Sequence, residues 1–238
     1  MWVLSSMGIP CGTLCQMMPM TLPTETQICE DRDFVEWHRG CPWCAVWVLR
    51  VEIEQLQQCL KTARGLIAPW LLPRYERQPH ITVAYRGLMA DQAPHPHAAF
   101  GSQQWQQDVQ ALQLAQPGPF TVQIGGVGSF STVPYIAVQP HPALLQLHTL
   151  LAQTVPEAHW QYEPHVTIGH YSRQVSMQDV MLPLQACSQV QEILDVPVQA
   201  LWLARYRTDD IAGRLFFEGY FDLCTQTYHS QPGALLGA

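Results

Sequence analysis

Lysine, asparagine and charge are what this 238-residue chain has least of. Lys61 is its only lysine, asparagine is absent, and charged residues make up 13% of the sequence, against roughly 25% in ordinary globular proteins. Without asparagine there is no Asn-x-Ser/Thr glycosylation site. The formal net charge of −7 excludes a surface that grips long DNA or RNA by neutralising phosphates. It leaves room for a small positive pocket that takes one nucleotide or one strand end. Apolar residues, at 47%, suffice for a substantial core, so disorder throughout is excluded. A long uninterrupted apolar run is also missing. Residues 1–24 carry no side-chain charge, but Pro10, Pro19 and Pro23 interrupt them and no Lys or Arg precedes them, which fits neither a membrane span nor a secretory signal. The expectation is a cytoplasmic protein with a poorly ordered extension over 1–35, a folded unit over 36–224 and a tail over 225–238.

Cysteine is present without the even spacing of a secreted disulfide framework: Cys11, Cys15, Cys29, Cys41, Cys44 and Cys59 crowd the first quarter, with Cys187 and Cys224 far away. Cys41-Pro-Trp-Cys44 is a C-x-x-C, which raises a redox pair or, with His38 and Cys29, a zinc site. An extended apolar run follows it where a thioredoxin-like pair needs a helix, and no second C-x-x-C or H-x-H stands nearby. Isolated reduced thiols are therefore expected, with no metal and no cofactor.

Periodicity organises the rest. Residues 44–52 read as a buried strand, and Ile53, Leu56, Leu60, Ala63 and Ile67 recur at helical spacing until Pro69 and Pro73 end the element. Residues 79–87, PHITVAYRG, alternate as a half-polar strand. A helix is expected over 103–115, a strand with a tight turn over 120–130, and then the order repeats: strand 135–139, helix 142–155, alternating strand 164–171. A short helix near 176–186 and strands near 198–206 and 215–223 close the chain.

A β-α-β unit ending in Pro-His-h-Thr-h, where h is apolar, thus occurs twice. Pro79 matches Pro164, His80 matches His165 and Thr82 matches Thr167, which reads as an internal duplication with units of about 44–133 and 134–223. Strand side chains alternate faces, so each unit presents an imidazole and a hydroxyl together while Ile81, Val83, Val166 and Ile168 enter the core. Packed about a pseudo-twofold axis, two imidazoles and two hydroxyls would face one another. Imidazoles that titrate near neutrality can divide a proton task, one as base and one as acid, and hydroxyl and imidazolium donors around a tetrahedral anion suit phosphoryl chemistry without a metal.

At these residues the chain resembles the 2H phosphoesterase superfamily, the 2′-5′ RNA ligase-like proteins and cyclic nucleotide phosphodiesterases, over roughly residues 36–223. Gly87 after the first motif and the GGVGSF segment at 125–130 support the likeness. The resemblance implies a bilobal α+β fold, its two pseudo-twofold-related lobes placing antiparallel sheets beside a central cleft with helices outside. It further implies metal-independent opening of 2′,3′-cyclic phosphates, on RNA ends or small nucleotides, to 2′-phosphates, and 2′-5′ ligation as a related activity. His80 and His165 become the acid–base pair, with His80 leaning to acid and His165 to base, and Thr82 and Thr167 the phosphate clamps. Where ligase-like members often carry an arginine shortly after the second motif, this chain has His170, Tyr171 and Arg173. That departure keeps a second reading open: a non-catalytic module that binds a nucleotide or RNA end in the same cleft.

Around the motifs, parity puts Arg86 on the face of His80, as a phosphate contact, and Tyr171 on the face of His165, as a base-stacking group. Tyr85 falls on the apolar face and reads as core. His95 and His97 read as solvated loop residues and His148 as a buried helix residue. Gly126-Val127-Gly128 fails as a dinucleotide loop because no helix follows, and no G-x-S-x-G elbow is present.

Overall fold

Trp43–Arg50 is apolar on both faces, and it forms β1, the second strand of a five-stranded sheet. The computed structural model describes residues 23–90, 100–152 and 162–236. In chain order the elements are α1 (Val35–His38), β1, α2 (Glu54–Ile67), β2 (His80–Leu88), α3 (Ser102–Ala115), β3 (Phe120–Ser129), β4 (Pro134–Val138), α4 (Pro142–Ala152), β5 (His165–Thr167), α5 (Met177–Ala186), α6 (Ser188–Gln191), β6 (Leu194–Val198), β7 (Ala200–Arg207), β8 (Phe216–Asp222) and β9 (Thr227–Ser230).

Two sheets result, ordered β2-β1-β7-β8-β9 and β5-β4-β3-β6, and every pairing is antiparallel. The fold is the α+β, two-sheet arrangement that the resemblance implies. The duplication is visible in the pairs β1–β2 and β4–β5, but the lobes interleave. β3 belongs to the second sheet, and β7, β8 and β9 complete the first, so a boundary at 133/134 does not divide the lobes. The helices cross over as well: α2 packs on α5 and α6, while α4 packs on β2. One face of α2, through Leu56, Cys59, Leu60, Ala63 and Ile67, is buried, and a single core joins both sheets and these helices.

β6 and β9 fall outside the sequence-derived strands, and the strand expected over 164–171 is three residues long. The glycine-rich segment is strand, not turn. Gly126, at φ +75°, sits in a bulge of β3, and the turn follows at 130–133. The segment from residue 23 to 35 is not loose. Glu25 bridges Ser176, the backbones of Thr26, Gln27 and Cys29 bond Val175, Ser131 and Tyr171, and the Thr26 side chain is buried. Residues 1–22 lie outside the described part. Among the described residues no helix is long and apolar enough to cross a membrane.

Candidate active site

Each motif histidine opens the strand at the inner edge of its sheet, directly after a proline. Proline removes a donor but leaves a carbonyl, and both carbonyls are used alike: Val51 N–H donates to Pro79 O and Val138 N–H to Pro164 O, each at 3.2 Å. The imidazoles repeat the symmetry. His80 Nδ1 bonds the carbonyl of Gln78 at 2.7 Å, and His165 Nδ1 bonds the carbonyl of Glu163 at 2.7 Å. A carbonyl can only accept, so Nδ1 carries the proton in both rings and Nε2 is left as a lone-pair acceptor for a ligand. Gln78 is itself clamped, its side chain donating to Leu215 O at 3.0 Å and accepting from Leu215 N at 2.9 Å. The rings stand close enough for the charge of His165 to be felt at His80.

Their surroundings differ. His80 is buried, and burial first, then the positive charges of Arg77 and of His165, hold its pKa down at about 4. His165 is pulled below 6.5 by burial alone, boxed between the rings of Phe130 and Tyr135, each 5.1 Å away. Gly128 makes that box possible, since a Cβ there would stand 2.5 Å from the Tyr135 ring. Thr167 meets the Tyr75 hydroxyl, and Tyr75 lies edge-on to His170 at 5.3 Å.

Positive charge comes to this region from Arg64, which lies 5.1 Å over the Tyr75 ring and donates to Ile168 O at 2.6 Å, and from Arg77. The Arg77 guanidinium lies 4.2 Å over the Tyr206 ring, its Nε is buried without a hydrogen-bond partner, and among the described residues no carboxylate pairs with it. Its charge acts on His80, His170, Tyr75 and Cys44. The His170 ring shares the condition, with Nδ1 buried and unpartnered and its pKa lowered to about 4 by burial and then by Arg77. An unpaired cation beside imidazoles kept neutral is a site that an anion completes. Sequence reasoning missed Arg77, Tyr75 and Tyr206. The available signal was Arg77, three positions before His80, the nearest basic residue on that side of either motif.

The structure corrects four placements. β2 carries two bulges, at Val83 and at Arg86, where its register against β1 slips, and each slip reverses the alternation. Arg86 is consequently 7% exposed and faces the core, where its guanidinium donates to Asp108 at 2.8 Å and to Leu151 O at 2.7 Å while Trp47 donates to the same carboxylate at 2.7 Å. It is not a phosphate contact. Tyr85 is turned the other way, 41% exposed beside Cys44 and Tyr206, and is not core. Tyr171 is fully buried, with its hydroxyl 2.7 Å from Ser129 Oγ, because β5 ends at Thr167 and parity has no force beyond it, so it cannot stack a base. His148 is half-buried and bonds Val83 O at 2.7 Å, while the Tyr162 hydroxyl donates to Thr82 O at 2.8 Å. These two groups occupy carbonyls of β2 at its first bulge.

His95 and His97 lie outside the described residues. His38 is engaged by Asp33 and Gly40, and Cys29 by Thr132 O. Among the described residues no group of three His, Cys, Asp or Glu is placed to hold a metal ion. Cys44 is wholly buried, which drives its thiol up to about 11, unlike a reactive thiol.

Residues 73–210, more than half of the chain, match the family model described as 2′-5′ RNA ligase superfamily. Among solved structures, TT0787 of Thermus thermophilus matches with a TM-score of 0.50 and 16% identity, covering 76% of this chain and 97% of that one. LigT of E. coli, crystallised with 3′-AMP, matches with a TM-score of 0.44 and 14% identity, covering 80% of this chain and 99% of its own. No curated protein matches the chain.

Proposed function

Because the chain belongs to the 2′-5′ RNA ligase superfamily, we propose that it is a phosphodiesterase that opens 2′,3′-cyclic phosphates on RNA ends or small nucleotides to 2′-phosphates, using His80 and His165 as general base and acid. The observation that carries this reading is the pair of identically anchored imidazoles, both proton-bearing at Nδ1, with the charge of His165 reaching His80. The phosphate would sit between them, its non-bridging oxygens held by the hydroxyls of Thr82 and Thr167 and by Arg77. One imidazole takes a proton from water as its oxygen attacks phosphorus. The P–O3′ bond breaks, and the other imidazole gives O3′ its proton. With a 5′-hydroxyl in place of water the same steps leave a 2′-5′ linkage. Neither route uses a metal.

The resemblance leans to His80 as acid, but the electrostatics favour the reverse. Arg77 beside His80 disfavours an imidazolium there, which suits a base, whereas His165 has only burial against its proton.

The test is incubation, with EDTA present, of the four 2′,3′-cyclic nucleotides and an RNA with a 2′,3′-cyclic end, followed by identification of the product isomer. A 2′-phosphate formed by the wild type and lost in His80→Ala and His165→Ala is the expected result. Binding of a nucleoside 2′-phosphate with no turnover of any substrate would overturn it in favour of a binding module, and sensitivity to EDTA would sink the metal-free mechanism.

A further inference from the structure

β2 and β5 are the edge strands at which the two sheets meet, and no ladder of backbone hydrogen bonds joins them among the described residues. The bonds from His80 Nδ1 to Gln78 O and from His165 Nδ1 to Glu163 O orient each ring within its own motif. They leave the distance between the two rings to other contacts. Those contacts come from side chains, and they are reciprocal. β2 is held by the β4-α4-β5 unit: Tyr162, in the segment ahead of β5, donates its hydroxyl to Thr82 O at 2.8 Å, and His148 on α4 bonds Val83 O at 2.7 Å. The Tyr162 and His148 rings are stacked 3.9 Å apart and 5° from parallel. β5 is held by the β1-α2-β2 unit: Arg64 on α2 donates Nε–H to Ile168 O at 2.6 Å, one residue past Thr167. The Arg64 guanidinium lies 5.1 Å over Tyr75, in the segment ahead of β2, and Tyr75 lies edge-on to His170 at 5.3 Å.

Each unit thus grips the backbone beside the motif threonine of the other. Apolar packing tolerates sliding, whereas a hydrogen bond to a carbonyl fixes distance and direction, the more so when a guanidinium donates it. An acid and a base that serve one phosphorus must both reach it, and a misplacement of about 1 Å can cost a factor on the order of 100. The duplication shows where the difference arose. Arg77 and Tyr162 each stand three residues before their motif histidine, so one unit uses that place for a cation and the other for a brace. We infer that Arg64 and Tyr162 are positioning residues that together set the distance between His80 and His165 across the cleft. This rests on the phosphodiesterase reading for the reaction that the distance serves, not for the distance itself.

Full-chain variants with two independent readouts test it. Tyr162→Phe keeps the ring on His148 and loses only the hydroxyl. Arg64→Met keeps the length and loses the donor, and Arg64→Gln restores an N–H at the place of Nε without the charge. On a 2′,3′-cyclic nucleotide, Tyr162→Phe and Arg64→Met should each lower kcat on the order of tenfold with KM little changed, and Arg64→Gln should recover most of the loss. Because both braces serve one distance, the double variant should fall by less than the product of the single losses. The second readout needs no turnover. His165→Gln should raise the pKa of His80 followed by NMR, since the charge of His165 holds it down, and the rise should be smaller where Tyr162→Phe and Arg64→Met are also present. A higher KM with kcat unchanged, or recovery by Arg64→Lys and not by Arg64→Gln, would make Arg64 a charge on the ligand and overturn its positioning role. Losses of kcat that multiply in the double variant, with the effect of His165 on His80 as in the wild type, would overturn the inference for both residues. Turnover of no cyclic phosphate by the wild type, with that effect still dependent on the braces, would refute the phosphodiesterase reading and leave the positioning role standing.

Discussion

The two motif strands present the same chemical unit in different settings. β2 is nine residues long, bulged twice, and delivers His80 where the charge of Arg77 reaches it. β5 is three residues long and delivers His165 between Phe130 and Tyr135. What they share is the backbone: proline, histidine, and a bond from Nδ1 to the carbonyl two residues back. The duplication supplies matched imidazoles, and under the proposed function the charge and rings around each would divide the work between them. A wholly symmetric pair would have no reason to assign acid to one side and base to the other.

Removing either imidazole should break the comparison most strongly. His80→Ala and His165→Ala should each lower kcat by about 10²–10⁴ with the fold retained by circular dichroism. A substrate with a p-nitrophenolate leaving group, which departs without a proton, should restore turnover to His165→Ala but not to His80→Ala. Rescue of the opposite variant would restore the family-based order of roles.

Arg86 is the counter-case, a cation near the first motif that serves the fold. Arg86→Leu leaves the buried Asp108 carboxylate without its cation, with only the Trp47 N–H beside it, and should cost about 3–5 kcal/mol, a drop in Tm on the order of 10 °C, while kcat per folded molecule at low temperature stays close to the wild type. Arg77 should behave inversely. Arg77→Ala should lower kcat/KM by about 10–100-fold with little change in Tm, and Arg77→Lys should recover part of it.

The smallest effect is the pH profile. Both imidazoles are held below 6.5 in the free protein, His80 at about 4. The acid must be protonated, so kcat/KM should peak below pH 6.5 and decline as pH rises through it, and Arg77→Ala should move the acid limb upward. The sign for stability follows. Lowered folded-state values mean that the unfolded chain binds protons more readily between about pH 4 and 6.5, so the histidines weaken the free protein as pH falls through that window. A bound phosphate should reverse this by raising the same values. A kcat/KM optimum above pH 7 would show that the imidazoles are not held neutral in the free protein.

The α+β class, the long helices and the four motif residues were legible in the sequence, because amphipathic helices and Pro-His-h-Thr-h strands each obey a period that needs only local information. β6 and β9 were not, since Leu194–Val198 and Thr227–Ser230 are strands only because β3 and β8 offer them an edge to pair with. The N-terminal stretch from residue 23 looked unstructured for the same reason, its order coming from bonds to residues about 150 positions away.

What the sequence determined by itself is the chemistry: two imidazoles and two hydroxyls, each pair sharing one strand face, with proline ahead of each histidine. Tertiary structure decided which other residues join them. Arg86 and Tyr85 exchanged sides because a bulge adds one residue to one strand, and only the pairing with β1 shows where the addition falls. Arg77 and Tyr75 were placed by the segment before β2, held where Glu76 N–H donates to Ala212 O and the Gln78 side chain pairs with Leu215, contacts far apart in the chain that no local period encodes.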